Sequence, residues 1–309
     1  MKVSVNKGEL AHYSFESFLF NNPQLFHQQQ CNDYSVVNLI DDKENCLARC
    51  TVFFKDQQAY SPFRAPFGSI EFSDKITIQE LEYFIEELEK FLREKQLTKF
   101  KIVSYPECYA PAKASLLTYC LLKQKYSITL ADINYHLPVA SQNNLVSGFH
   151  DSEKRRYKKC VEQGFVVGRE GESAVPEAFE LIKKAREQKG FPLSLKLQEF
   201  EKLFKEFPQY YLLFTVRDKD KLLATATGVR INSEILYYFF PADDASYKNF
   251  SPIVMLIKGM YDYCKENSIR TFDLGIASAN AIPNYGLINF KQHLGGIPSL
   301  KYTFEKTLK

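Results

Sequence analysis

The sequence predicts an α/β protein in which a mixed sheet is flanked by helices, organised as two similar domains. Segment 76–96 has apolar residues at three- and four-residue spacing, which is typical of an amphipathic helix. The runs 35–40 and 46–54 are rich in β-branched and aromatic residues and flank a polar turn, which predicts a hairpin. The order of the elements predicted in the first half then recurs in the second half.

Each half can be divided into elements. Thr77 is expected to cap the helix at 76–96, with Glu80 as its capping-box partner. The rest of the first half is predicted to hold a strand at 100–103, a helix at 113–125 and a strand at 127–137. The second half is predicted to hold a strand at 165–170, helices at 176–190 and 196–207, strands at 210–218, 221–231 and 234–240, a helix at 252–267, a strand at 270–274, a short helix at 285–294 and a strand at 300–305.

The domain boundary is predicted from a break in this pattern. Residues 138–155 are rich in proline, serine, asparagine and glycine, which interrupt regular structure. We therefore predict one domain at 1–150 and a second at 151–309.

Composition limits the class of protein. Hydrophobic residues make up 45% and charged residues 25% of 309 residues, which excludes a disordered or coiled-coil chain. The net charge is +3, which neither requires nor excludes nucleic acid. The sequence has no apolar run of ~18 residues and begins without the apolar core of a signal peptide, so we expect a cytoplasmic protein with no transmembrane segment.

Metal and disulfide chemistry is not expected. The seven cysteines are an odd number and are scattered through apolar segments. Cys46 and Cys50 have no second Cys/His pair nearby, and the five histidines form no HExxH motif. We predict no metal site and no tightly bound cofactor.

The element order and three local strings carry a family resemblance. The strings are FDLGIASAN followed by GLINFKQHLGG at 272–296, SPFRAPFGSIEF at 61–72 and KRRYKK at 154–159. With the strand–helix–helix–three strands–helix–strand–helix–strand order, the chain resembles the FemABX-like family, in which two GNAT-like acyltransferase domains are fused. The resemblance implies two tandem GNAT-like domains, with the first as acceptor site or scaffold and the second holding the donor and catalytic site.

The resemblance implies an acyl- or aminoacyltransferase that forms an amide on an amino group of a cell-envelope, peptidoglycan-precursor or amino-sugar acceptor. The acceptor would be a small molecule or a nucleotide-sugar or lipid-linked precursor, and the acyl donor either aminoacyl-tRNA or acyl-CoA. Two alternatives remain open: an acyl-CoA or acyl-carrier N-acyltransferase acting on a small amine, and a non-catalytic ligand-binding module. The sequence leaves the oligomeric state undetermined.

Three residues are predicted to be catalytic. Asp273 lies at the end of a predicted strand, where a carboxylate could act as a base or orient substrate; the alternative is that it only caps the turn. Lys291 matches the family's Phe-Lys string, whose lysine is associated with the donor or reaction centre; the alternative is a solvated lysine. Tyr238 could protonate the leaving group, although alternation places Tyr237 and Tyr238 on opposite faces of their strand.

Further residues are predicted to bind substrate. Arg64, in a rigid proline-flanked loop, suits a carboxylate or phosphate, and its alternative role is an ion pair between the domains. Arg155 and Arg156 belong to a basic run that suits a pyrophosphate, a nucleotide-sugar or an RNA end, or else forms a solvated helix face. The remaining predicted binding residues are Tyr247, Ser251 and Gly275.

The segment 241–252 departs from the phosphate-binding loop of acetyl-CoA-dependent GNAT enzymes. That loop wraps a pyrophosphate with backbone N–H groups at a helix N-terminus. Here the sequence reads PADDASYKNFSP, without glycine and with Asp243 and Asp244 adding negative charge. We therefore expect weak coenzyme A binding at this position.

Overall fold

The structure, a computed structural model, describes residues 1–7, 12–140, 144–190, 193 and 195–308. These residues contain sixteen strands and seven α-helices. The strands are β1 (Lys2–Asn6), β2 (His12–Tyr13), β3 (Tyr34–Ile40), β4 (Asn45–Lys55), β5 (Gln58–Ser61), β6 (Ile70–Phe72), β7 (Lys99–Val103), β8 (Ser127–Pro138), β9 (Val166–Glu170), β10 (Tyr211–Asp218), β11 (Lys221–Arg230), β12 (Ile235–Asp243), β13 (Thr271–Ile276), β14 (Ser278–Ala279), β15 (Ile282–Pro283) and β16 (Ile297–Thr307). The helices are α1 (Ile78–Glu94), α2 (Pro111–Lys123), α3 (Asp151–Glu162), α4 (Val175–Glu187), α5 (Leu197–Glu206), α6 (Pro252–Glu266) and α7 (Tyr285–His293).

The chain forms two compact units. Unit 1 comprises Met1–Asn134, Ser278–Ile282 and Ser299–Lys309, and unit 2 comprises Tyr135–Ala277 and Pro283–Pro298. These ranges differ from the predicted domains at both ends of the second half. Most of β16 belongs to unit 1, where it pairs antiparallel with β7.

Unit 1 is built on a sheet of order β1-β3-β4-β5-β7-β16. The predicted hairpin is confirmed as β3 and β4, and the predicted helix as α1. The expected capping box is also confirmed, since Thr77 Oγ1 accepts from Glu80 N–H and Glu80 Oε2 accepts from Thr77 N–H. The buried apolar face of α1 packs over this sheet with α2, and together they form the core of the unit.

Unit 2 is built on a sheet of order β13-β12-β11-β10-β9, in which β12 and β13 are parallel and the other pairs antiparallel. The helix α6 packs against β9, β10 and β11, and α4 packs against β11 and β12. Gly259 allows the close approach of α6 to β9, because a Cβ there would lie 2.4 Å from Cγ2 of Val167.

The parallel pair β12/β13 is short. Its register matches Ile235 with Thr271 and ends where Tyr237 faces Asp273. Beyond this point β12 continues to Asp243, with a bulge at Phe240, whose φ is +48°. β13 continues to Ile276. The two strands therefore separate immediately after Asp273.

Among the helices of the described residues, none combines the length and the apolar character required to cross a lipid bilayer.

Candidate active site

Asp273 is buried at the point where β12 and β13 separate. Its Oδ1 accepts a hydrogen bond of 2.8 Å from the N–H of Gly275, two residues later. Gly275 has a φ of +78°, which glycine adopts without the steric cost of a side chain. The carboxylate thus stabilises a turn at the end of β13, which is the alternative role that the sequence analysis gave to Asp273. It also places a negative charge inside unit 2.

Lys291 extends from α7 to the same turn. Only 4% of the residue is exposed, and its Nζ donates to the carbonyl oxygens of Gly275, at 2.8 Å, and Ile276, at 2.9 Å. Burial lowers the pKa of Lys291 to about 7, against the opposing effect of the Asp273 charge. The alternative considered from the sequence, a lysine exposed to solvent, does not match this burial. At neutral pH such an amine can either hold or release a proton.

Of the two adjacent tyrosines, Tyr237 lies at this turn. A Cβ on Gly275 would lie 3.2 Å from Cε2 of Tyr237, and the hydroxyl is close by. Burial and the charge of Asp273 both raise the pKa of Tyr237, so its hydroxyl stays protonated at neutral pH. The predicted residue Tyr238 faces the opposite side of the sheet, where its ring contacts Phe272. The sequence established the alternation but offered no reason to prefer Tyr237.

His136 was not selected from the sequence, yet it shares this part of unit 2. It lies on β8, and the Asp273 charge acts on its imidazole. A lone histidine in a strand carries no recognisable motif. Only the pairing of strands reveals its position.

Arg64 lies in unit 1 and is exposed. Its Nη1 donates to Oε1 of Gln30, and its backbone N–H donates to Oε1 of the buried Gln29. The proline-flanked segment is therefore fixed to the chain near residue 30. Arg64 and the turn at Asp273 belong to different units.

Arg155 and Arg156 lie on α3 and are both exposed. Arg156 donates to both carboxylate oxygens of the buried Glu153, at 2.8 and 3.0 Å. His293, the last residue of α7, approaches the same carboxylate at 3.7 Å. Arg156 is thus partly committed to an internal ion pair, whereas Arg155 contributes to the basic surface of α3.

Several backbone donors of the segment 241–252 are already bonded. The N–H of Ser246 donates to Asp244 Oδ1, and the N–H groups of Phe250 and Ser251 both donate to the carbonyl of Tyr247. The helix α6 then begins with Pro252, which has no N–H. Hydrogen bonds from Ser246 lower the pKa of Asp244 to about 2, so this residue carries a full negative charge.

Two predicted binding residues of this segment have local structural contacts. Tyr247 packs against Phe165 and Phe250, with Lys221 Nζ 4.4 Å from its ring centre. Ser251 precedes α6 with a φ of +54° and makes no side-chain capping bond. The bonded N–H groups and the charge of Asp244, which Lys221 Nζ approaches at 3.2 Å, therefore disfavour a pyrophosphate at this segment.

The structure brings together three of the predicted residues, Asp273, Gly275 and Lys291, and adds Tyr237 and His136. It does not bring Tyr238, Tyr247 or Ser251 to this turn. The roles of all nine predicted site residues stay predictions.

Residues 150–291 match the family model described as an acetyltransferase (GNAT) domain. A search of curated protein sequences found no match. The chain is similar to the crystal structure of FemX, with a TM-score of 0.73 and 15% identity over 96% of this chain and 94% of that one.

Two further solved structures share the fold. One is L-PGS from Bacillus licheniformis, with a TM-score of 0.59 and 10% identity over 94% of this chain and 93% of that one. The other is a tandem GNAT protein from the clavulanic acid biosynthesis pathway, with a TM-score of 0.52 and 10% identity over 89% of this chain and 83% of that one. The predicted mixed α/β fold, with FemABX-like tandem GNAT architecture, is confirmed. The GNAT domain supports an acyltransferase enzyme.

Proposed function

We propose that this chain, which has the fold of FemX and a GNAT domain at 150–291, transfers an aminoacyl group to an amine of a cell-envelope precursor. The observation that carries the proposal is the turn after β13, where the buried Lys291 ammonium bonds two backbone carbonyls beside Asp273. The amine of the acceptor attacks the carbonyl carbon of the donor ester at this turn, and an amide forms.

Lys291 supplies a proton to the leaving oxygen. With a pKa of about 7 it is partly protonated at neutral pH, which suits proton transfer in both directions. As negative charge develops on the leaving group, the ammonium form is further favoured. Its bonds to Gly275 and Ile276 hold the amine in one position.

Asp273 and Tyr237 support this step. Asp273 fixes the turn through the Gly275 N–H, and its charge raises the pKa of Lys291 against the effect of burial. Tyr237 keeps its phenolic proton, so it can donate a hydrogen bond to the oxyanion of the tetrahedral intermediate.

An aminoacyl-tRNA donor is favoured over acyl-CoA by the segment 241–252. The N–H groups of Ser246, Phe250 and Ser251 donate within the segment, and Asp244, which is paired with Lys221, is negatively charged. A tRNA needs a basic surface, and α3 supplies exposed basic residues, including Arg155 and Lys159. In this proposal Arg156, already bonded to Glu153, has a lesser share in binding.

The acceptor is proposed to be a lipid-linked or nucleotide-linked precursor that bears a primary amine, and the reaction is proposed to occur in the cytoplasm. The likeness in fold to FemX and to L-PGS supports this class of acceptor. Arg64, exposed in unit 1, is the proposed contact for an acidic group of the acceptor.

The test is a transfer assay with radiolabelled donors and amine-bearing acceptors. Mixed aminoacyl-tRNAs and mixed acyl-CoAs are offered separately with nucleotide-linked muramyl peptides and with phospholipid vesicles. We expect amide product from aminoacyl-tRNA alone, and a loss of about 10²–10⁴-fold in kcat for Lys291→Met. Product from acyl-CoA would overturn the proposed donor. Absence of product from every pair would overturn the proposed function.

A further inference from the structure

His136 and Asp273 lie on neighbouring strands, β8 and β13, and the charge of Asp273 acts on the imidazole. The last residues of β8, which belong to this unit, are adjacent to β13. The N–H of Val139 donates to the carbonyl of Arg270 at 2.8 Å, and the charge of Asp273 acts to raise the pKa of His136. If the strands run antiparallel from this bond, His136, three residues before Val139, faces Asp273, three residues after Arg270. Residues that face each other in such a pair project from the same side of the sheet.

One nitrogen of the His136 ring has no hydrogen-bond partner. The imidazole bonds the backbone of Ile297, whereas Nδ1 is buried and, among the described residues, has no donor or acceptor within reach. Leaving a buried polar atom unpaired destabilises the folded protein. A catalytic role is one explanation for such an atom.

The charge environment keeps this ring neutral. Burial lowers the pKa of His136 below its usual value, and the Asp273 charge and the Ile297 bond only partly oppose that effect. The charged group that acts on it is Asp273 on β13, and the same carboxylate also acts on Tyr237 on β12 and on Lys291 on α7. A neutral imidazole that donates from one nitrogen presents a free lone pair on the other.

We propose that Nδ1 of His136 is the general base that takes the proton from the attacking amine. This inference rests on the proposed transferase function and assigns a residue to its proton-accepting step. The amine nitrogen forms a bond to the donor carbonyl carbon, and its proton moves to Nδ1. The bond from that carbon to the leaving oxygen then breaks, and the oxygen takes a proton from Lys291. The proton on His136 returns to Lys291 through solvent, so that one amide and one free hydroxyl are formed.

Lys291 is less suited to this first role. Its amine already donates to the carbonyls of Gly275 and Ile276, an arrangement that only N–H groups satisfy. His136 has the opposite character, since its free atom accepts. The two residues therefore divide the reaction between an acid and a base, and the charge of Asp273 acts on both.

The experiment compares His136→Gln and His136→Asn with the wild-type enzyme in the transfer assay. Glutamine places an amide where Nε2 lies and preserves a donor towards Ile297, but it has no base at Nδ1. Asparagine places an oxygen acceptor near Nδ1, which preserves binding of the amine without accepting its proton. We expect both variants to lose about 10²–10⁴-fold in kcat, and His136→Asn to retain the wild-type KM.

The pH profile separates this role from a structural one. The wild-type kcat should fall on the acid side with an apparent pKa below that of an ordinary histidine, and that limb should be absent from both variants. Thermal unfolding confirms that each variant is folded at the assay temperature. Variants within threefold of wild type, or an unchanged acid limb, would overturn the inference and leave the proposed function standing. A wild-type enzyme that forms no product from any donor would overturn both.

Discussion

The two units end their parallel strand pairs in different ways. In unit 1 the pair β5/β7 ends where Ser61 faces Ile102, and the chain then returns so that Gly68 N–H donates to the carbonyl of Val103. Phe67 is buried there among Phe18, Phe20, Tyr105 and Tyr109. In unit 2 the pair β12/β13 ends at Asp273, and the freed carbonyls of Gly275 and Ile276 are bonded by the Lys291 ammonium.

This difference indicates which unit carries the chemistry. The strand ends of unit 1 are closed by backbone bonds, by aromatic packing and by the bond from Lys301 to the carbonyl of Pro66, which serve stability. Those of unit 2 are bonded by a titratable amine, with a carboxylate, a phenol and an imidazole nearby. A similar fold thus holds a packed aromatic core at the strand ends of unit 1 and the proposed reactive site at those of unit 2.

The largest expected effect on activity comes from replacing the lysine that donates to backbone carbonyls in unit 2, with the corresponding lysine of unit 1 as the control. Lys291→Met should lower kcat by about 10²–10⁴-fold, because the proton donor is lost. Lys301 in unit 1 likewise donates to a carbonyl, that of Pro66, at 2.6 Å, and Lys301→Met is the matched control, expected within threefold of wild type. Steady-state kinetics decide the matter. Equal losses in the two variants would contradict the assignment of the site to unit 2.

The largest expected loss in the free energy of unfolding comes from a substitution in the aromatic cluster of unit 1. Phe67→Ala removes a fully buried ring and should lower the free energy of unfolding by about 3–5 kcal/mol. Urea unfolding measures the loss, and kcat per folded molecule should not change. A fall in kcat with little loss of stability would mean that the aromatic closure of unit 1 also takes part in the reaction.

The third effect is a pH dependence that belongs to unit 2. Because the pKa of Lys291 is about 7 in the folded protein and near 10.4 when unfolded, the unfolded chain binds more protons between these values. The free energy of unfolding contributed by Lys291 therefore rises with pH in this window, by up to ~1.4 kcal/mol per pH unit. Urea unfolding of the wild type and Lys291→Met from pH 6.5 to 8.5 should show the wild type gaining relative to the variant. Parallel curves would mean that the lysine titrates normally.

The smallest effect concerns a glycine in each unit. A Cβ at Gly68 would lie 2.6 Å from the backbone of Ser61 and Pro62, and one at Gly275 would require alanine at a φ of +78°. Each alanine variant should be destabilised by about 1–3 kcal/mol. Only Gly275→Ala should also reduce kcat in transfer assays, because it moves the carbonyl that orients Lys291. A kinetic defect in Gly68→Ala would erase the distinction between the units.

Local patterns predicted much of this fold. The helix α1 and its cap at Thr77 follow from the spacing of apolar residues and from one capping motif. The strand β16 was also expected as an element, but its place in unit 1 was not, because a period of two identifies a strand and not its neighbour.

The site was predictable only in part. Asp273, Gly275 and Lys291 were found from a family resemblance carried by strings of adjacent residues. To select Tyr237, one must know which face of β12 lies at the turn. To select His136, one must know that β8 pairs with β13, although the two segments are more than a hundred residues apart. A buried ionisable group is recognised by the residues that surround it. Because folding brings those residues together, the sequence alone does not reveal them.

The position of β16 has a consequence for synthesis of the protein. Thr303 pairs with Val103, so about two hundred residues separate the partners of this ladder. A ribosome that has released residues 1–134 has not yet made the strand that continues the sheet beyond β7. The edge of β7 stays unpaired until almost all of unit 2 has left the exit tunnel, which leaves it exposed to other chains meanwhile. Premature termination within unit 2 would therefore damage both units.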